Sequence, residues 1–218
     1  RNFNGSLNQI CHIQALNKNS ENNVIFIGIG DEKEIDDFHF QYFGGLLYPF
    51  FENLKYKTLS LDVANLKKVK VSNDNINLNL ASGIQLKSYS FTKYKKKKSK
   101  DIEKSLEKIE FVSSNPSKLN KLYKNFSAIT EGVFFARDLL HEPPNILNPI
   151  HLATRAKELS KIGIKVNVLD EKSMKRLGMG ALLGVGMGSA NPSRLITLEW
   201  NGKPASKSPP LGLVGKGV

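Results

Sequence analysis

Apolar residues along this chain recur in several distinct patterns. Val24, Ile25, Phe26 and Ile27 run unbroken into Gly28 and Gly30, which predicts a buried strand over Asn23 to Gly30 that ends in a turn. Ile10-Cys11-His12-Ile13 and Thr58 to Val63 alternate, which predicts half-buried strands. Residues 31–51 pass from polar to apolar and are read as containing a helix. Asn75 to Tyr89 carries Ile76, Leu78 and Leu80 at the even spacing of a strand, while Ala81-Ser82-Gly83 leads toward a helix, and the pattern leaves the choice open. Glu110 to Ser113 reads as a short strand. From Ser117 a long helix is predicted, with Ile129, Val133, Ala136 and Leu140 at steps of four, three and four as its apolar face. It must stop before Pro143-Pro144, because proline cannot continue the ladder and restricts the residue before it.

Beyond Pro143 the local chemistry is clearer. Asn148 is a good N-cap and Pro149 a good first helical residue. Leu152, Ala153, Ala156 and Leu159 give that helix a face, and Gly163 is a natural stop. A strand over Lys165 to Leu169, a helix over Glu171 to Leu177 ended by Gly178, and a strand over Arg194 to Trp200 follow. Between the last two lies the glycine-rich stretch Met179 to Ser189, whose glycines are read as letting the backbone turn tightly beneath a neighbour. Asn201-Gly202 is a turn, and Leu211 to Val214 is read as a final buried strand. The alternation predicts an α/β fold in both parts. The expected organisation is an N-terminal α/β domain with a central sheet (1–125), a linker helix with a proline-rich turn (126–145), and the start of a second α/β domain (146–218).

Composition adds limits. A chain of 218 residues with 40% hydrophobic and 24% charged residues can bury a proper core. No apolar run reaches membrane-spanning length and no leader peptide is read at the N-terminus, so no membrane is expected. Cys11 is the one cysteine, which suits a reducing compartment and is read as a small half-buried strand residue.

The net charge of +12 invites a nucleic-acid reading, but its excess is concentrated. Lys87, Lys93, Lys95, Lys96, Lys97, Lys98 and Lys100 occur with no acidic residue among them. With Tyr89, Phe91 and Tyr94, the run Lys95 to Lys98 has the charge and the aromatic rings for phosphate contact and base stacking. The plainer reading is a solvated loop of mutually repelling lysines.

Other motifs are weak. Gly184-Val185-Gly186-Met187-Gly188 has no helix opening after it to face a pyrophosphate, and Gly28-Ile29-Gly30 is followed by two acidic residues. Gly215-Lys216-Gly217 is not a Walker loop. The histidines His12, His39, His141 and His151 lack metal-ligand spacing.

Several longer segments, taken in order, carry a resemblance. Glu131 to Leu140 and the following His141-Glu142-Pro143-Pro144-Asn145-Ile146-Leu147-Asn148-Pro149 resemble the linker helix and the Asn-x-Pro-x-Asn-x-x-x-Pro segment of the leucine aminopeptidase (cytosol aminopeptidase) family. His141 and Glu142 depart from that pattern. Leu177 to Ser189, Pro192-Ser193-Arg194-Leu195-Ile196 and Gly215-Lys216-Gly217 are similar to further family signatures. Asn23 to Gly30 and Gly83 to Tyr94 resemble its N-terminal domain more loosely.

The resemblance implies a metallopeptidase that removes leucine-type N-terminal amino acids from peptides with a free N-terminus. It implies two divalent ions (zinc or manganese), a cytoplasmic location and a homohexamer. Lys216 would ligate the second ion through a neutral amine. Family members carry a strand-rich segment before the equivalent of Phe3 and most of the catalytic domain after Val218. The chain is therefore expected to be a fragment and, with one lysine for two metals, inactive. No catalytic residue is assigned within it. The alternative is a DNA-binding or assembly module built on the basic N-terminal part, as DNA binding is known for some bacterial members.

Overall fold

The computed structural model describes residues 2–14, 23–54, 56–63, 66, 69–96, 106–204 and 208–216. The fold is α/β, and the chain divides into two compact units, Arg1–Ala136 and Arg137–Val218.

In the first unit, β1 (Ile10–Gln14) pairs antiparallel with β2 (Asn23–Ile27), with Ile10 opposite Ile27 and Cys11 opposite Phe26. Cys11 is half-buried, as its alternating surroundings predict. The unbroken apolar block of β2 is not buried on both faces. Ile25 and Ile27 pack on the core, whereas Val24 and Phe26 stay exposed and the Phe26 ring meets Phe3 at 6.0 Å. A paired strand presents alternate residues to opposite sides, and among the described residues only one side of β2 has a packed layer.

Two helices supply that layer. The first, α1 (Asp37–Leu54), buries Phe40, Phe43, Leu47 and Phe51, spaced at three and four residues as an amphipathic helix requires. The second, α2 (Asn73–Lys87), resolves the open choice between strand and helix in favour of helix. Ser72 caps it, its hydroxyl accepting from the Asn75 amide at 3.3 Å. Ile76, Leu80 and Ile84 join the core shared with α1, yet Leu78, Asn77 and Ser82 are buried too. A helix enclosed on several sides loses the polar stripe that would reveal its period, which explains the even spacing of its apolar residues. The two helices cross with backbones nearly touching. A Cβ on Gly44 would lie 2.3 Å from the Leu80 carbonyl oxygen, and one on Gly83 would lie 1.9 Å from that of Gln41.

Strand β3 (Thr58–Leu61) pairs in parallel with β4 (Lys108–Phe111), Thr58 opposite Lys108 and Leu61 opposite Phe111. Both alternate between exposed and half-buried residues, and Leu59, Leu61, Ile109 and Phe111 reach the same core.

The long helix α3 (Pro116–His141) ends where Pro143 demands. Its packed face differs from the expected one. Ile129 and Leu140 are 68% and 83% exposed, while Leu119 and Thr130 are buried. The more buried stripe runs through Leu119 and Thr130, with Tyr123 and Phe126 half-buried between them, one residue out of phase with the apolar stripe, of which Val133 is half-buried. Thr130 tolerates burial because its hydroxyl donates to the Phe126 carbonyl at 3.1 Å.

In the second unit, Asn148 caps α4 (Pro149–Glu158) by accepting from the Ile150 and His151 amides, each at 3.1 Å. A single 3-10 turn, Leu159–Ile162, leads to Gly163 with φ of 89°. Strand β5 (Lys165–Leu169) pairs antiparallel with β6 (Leu195–Glu199), and α5 (Glu171–Arg176) follows β5 directly. Among the described residues of this unit, Ala153, Ala156 and Met174 are the buried apolar ones. The glycine-rich stretch, read as a turning loop, instead forms the helix α6 (Gly180–Gly186). Only Gly186 lies tightly against a neighbour, the Ser193 side chain. The expected last strand does not form. Residues 209–216 carry no regular structure, and Leu211, Leu213 and Val214 are almost wholly exposed. A strand needs a partner for its backbone groups, and among the described residues none stands beside this one.

Candidate functional site

Lys216, the residue singled out as a metal ligand, lies exposed at the end of that irregular segment. Gly217 and Val218 lie outside the described residues. Among the described residues, no group of three or more histidine, cysteine or carboxylate side chains is placed to hold a metal ion. The four histidines are spread over β1, the start of α1, the end of α3 and the first turn of α4, and His141 Nδ1 already sits 2.7 Å from the Arg137 carbonyl. One lysine nitrogen falls short of the ligands that a divalent ion needs, and far short of those for two.

Two of the segments that carry the resemblance, Leu177 to Ser189 and Pro192 to Ile196, adjoin a hydrogen-bonded local frame. Asp170 caps α5, accepting from the Ser173 amide at 2.8 Å. Hydrogen bonds from the Ser173 side chain and backbone hold the Asp170 carboxyl below its usual range, with Arg194 and Arg176 adding to the effect. The neighbouring Glu171 carboxylate accepts from the Ser193 amide at 2.7 Å and so ties the start of α5 to the residues that lead into β6. Sequence reading passed over Glu171. Its partner lies 22 residues away, and no local pattern signals such a pairing.

The basic segment of the first unit is partly described. Lys95 and Lys96 are exposed, whereas Lys97 and Lys98 lie outside the described residues. The nearby aromatic rings are engaged with one another and with their own chain. Tyr89 meets Phe134 at 5.2 Å, Phe91 meets Tyr94 at 5.8 Å, and the Lys93 ammonium lies 5.4 Å from the centre of the Tyr94 ring.

A cleft of about 710 Å³ lies in the first unit, lined by residues of α2, β4 and α3. Its carboxylates are held by lysines, Glu107 by Lys57 at 3.2 Å and Glu110 by Lys108 at 2.5 Å. Tyr48, also in its wall, donates to Glu52 at 2.5 Å, and burial together with that carboxylate pushes its phenol well above the usual value. Asn77 Oδ1 and Gln85 Oε1 lack partners but are enclosed beyond the reach of solvent. Among the described residues lining the cleft, both carboxylates are thus already paired.

Comparison with known proteins complements this geometry. Residues 1–98 match the family model for the cytosol aminopeptidase family, N-terminal domain, and residues 134–218 match that for its catalytic domain. The chain is 38% identical over 218 residues to a probable cytosol aminopeptidase of Chelativorans sp., covering 99% of this chain and 43% of the relative. It is 37% identical over 196 residues to one of Rhizobium rhizogenes, covering 89% of this chain and 39% of the relative. The chain thus spans about two fifths of the length of the curated relatives it matches. Among solved structures, a mutant of tomato leucine aminopeptidase superposes with a TM-score of 0.78 at 22% identity, over 90% of this chain and 38% of that one. The bottromycin maturation enzyme BotP in complex with Mn gives 0.75 at 22% identity, over 91% and 40%. At that identity the two structures speak for a shared fold.

Proposed function

Because this chain belongs to the cytosol aminopeptidase family, we propose that its protein is a metal-dependent hydrolase releasing leucine-type N-terminal amino acids from peptides. The observation that carries this reading is the order of the two matches, the family's N-terminal domain over 1–98 and its catalytic domain over 134–218. In this proposal Lys216 is one ligand of a pair of divalent ions, zinc or manganese, whose other ligands are not among the described residues. No step of the reaction is assigned to the side chains described above. Their task is scaffolding: α5 and β6 flank Leu177 to Ser189 and Pro192 to Ile196, and Glu171 ties the start of α5 to Ser193. A cytoplasmic location and a homohexameric assembly belong to the same proposal, and no helix of the described residues is long and apolar enough to cross a membrane.

These 218 residues alone are expected to be inactive. With manganese present and a leucyl amide as substrate, purified chain should show no turnover above a metal-only blank. Turnover removed by a chelator would overturn the reading that these residues cannot build the metal centre.

A second reading, DNA binding through the run Lys95 to Lys98, draws support from the exposure of Lys95 and Lys96. Engaged aromatic rings weigh against the stacking part of it. A salt-sensitive duplex DNA shift that disappears when these four lysines become alanine supports charge-driven binding. An unchanged shift, or none in the native chain, removes it.

A further inference from the structure

The sequence Asn-Gly occurs twice, at Asn4-Gly5 and at Asn201-Gly202. An asparagine followed by glycine is open to attack on its side-chain amide by the next backbone nitrogen, since glycine has no Cβ to obstruct the approach. The attack requires a free glycine amide and an asparagine side chain able to swing over it. The two sites differ sharply in both respects.

At the first site the nucleophile is occupied. The Gly5 amide donates to Gln9 Oε1 at 3.1 Å, and the Gly5 carbonyl accepts from the Gly30 amide at 3.1 Å. The Asn4 side chain is held as well, with Oδ1 accepting from the Ser6 amide at 3.1 Å and the Ser6 hydroxyl at 2.7 Å. At the second site both groups are exposed, in the loop that follows β6. Among the described residues, neither the Asn201 side chain nor the Gly202 amide has a hydrogen-bond partner.

We propose that Asn201 is a site of spontaneous modification, a deamidation that makes aspartate and isoaspartate in the turn after β6. The Gly202 nitrogen attacks Asn201 Cγ; a new N–C bond forms, the Cγ–Nδ2 bond breaks, and ammonia leaves with the proton from the Gly202 amide. Water then opens the cyclic imide at either carbonyl. Nothing is oxidised or reduced. Aspartate adds a negative charge, and isoaspartate also inserts a methylene into the main chain.

The insertion falls beside Trp200, the chain's single tryptophan. A Cβ built on Gly163 would lie 3.3 Å from the Trp200 ring, and one built on Gly202 would lie 2.6 Å from its Nε1. The ring thus rests against the backbone both at Gly163, just after the 3-10 turn, and at Gly202. A lengthened main chain between Asn201 and Gly202 shifts that seat.

The test ages the folded chain in mildly alkaline buffer and follows both Asn-Gly peptides by tryptic mass spectrometry, with isoaspartate detected enzymatically. Asn201 should convert faster than Asn4 by about tenfold or more, the factor set by breaking one or two hydrogen bonds before attack. In concentrated urea the two rates should converge, because the sequences are alike once the structure is gone. Tryptophan emission should drift in step with Asn201 conversion and stay constant in an Asn201→Gln variant. Equal rates in the folded chain, or an intact Asn201 where the urea-unfolded chain reacts, overturns the proposal.

Discussion

Single residues set the tightest constraints in this chain. At Gly83 the smallest possible side chain would collide with the Gln41 carbonyl, and the obstacle is backbone that cannot swing aside. Gly83→Ala should therefore force α1 and α2 apart and cost about 2 kcal/mol or more, read as a lower urea midpoint. Gly132→Ala, in α3 with open space around it, should slightly stabilise that helix and serves as the control. Asp170 makes a different kind of statement. Hydrogen bonds from Ser173 depress its carboxyl in the folded state, so its contribution is fully present above the unfolded value near 3.8. That contribution disappears as pH falls from there through the lower folded value. An Asp170→Ala chain should thus unfold more readily than the native one at neutral pH and match it in strong acid. A gap that persists in acid would show that the cap does not act through its charge.

At the scale of elements, local chemistry and packing made separate decisions. Asn148, Pro149 and Gly163 are punctuation, and the helix between them starts and stops as they dictate. Removing the cap with Asn148→Ala should cost about 1 kcal/mol. The faces of α3 were settled differently. Its apolar stripe and its buried stripe have the same period and lie one residue apart, so a hydrophobic pattern favours the wrong one once a threonine sits in the buried row. Leu119→Ala should destabilise by about 2 kcal/mol or more, whereas Ile129→Ala should stay within about 0.5 kcal/mol. Equal costs would mean that the stripe through Ile129 is packed in solution. In α2 the difficulty was enclosure, since burial on several sides left no polar face to betray a helix.

For the molecule as a whole, the informative surface is the apolar part of the second unit. Leu182, Val185, Met187, Leu211 and Leu213 are all exposed. Single exposed apolar residues are ordinary, but this many in one unit leave apolar area that a small apolar probe can reach. These 218 residues should bind an apolar fluorescent dye in the folded state, and Leu211→Asn with Leu213→Asn should lower that binding without changing the unfolding midpoint. Dye binding untouched by the double change would mean that the segment after Ser208 is covered in solution.

The sequence by itself determined whatever depends on neighbours along the chain. The prolines ended α3, Asn148 began α4, and Gly163 and Gly178 took up their left-handed turns. It also carried the family, because ordered signature segments survive in one dimension. Tertiary structure alone decided which residues are hidden. The helix at α2, the exposed half of β2, the offset face of α3 and the missing strand at Leu211 to Val214 each depend on what stands opposite. For the last, the deciding fact is backbone hydrogen bonding: an apolar segment becomes a strand only when another strand is there to pair with it. The metal site has the same physical root. A lysine between glycines marks a position along the chain, but an ion is held only where several donors converge in space.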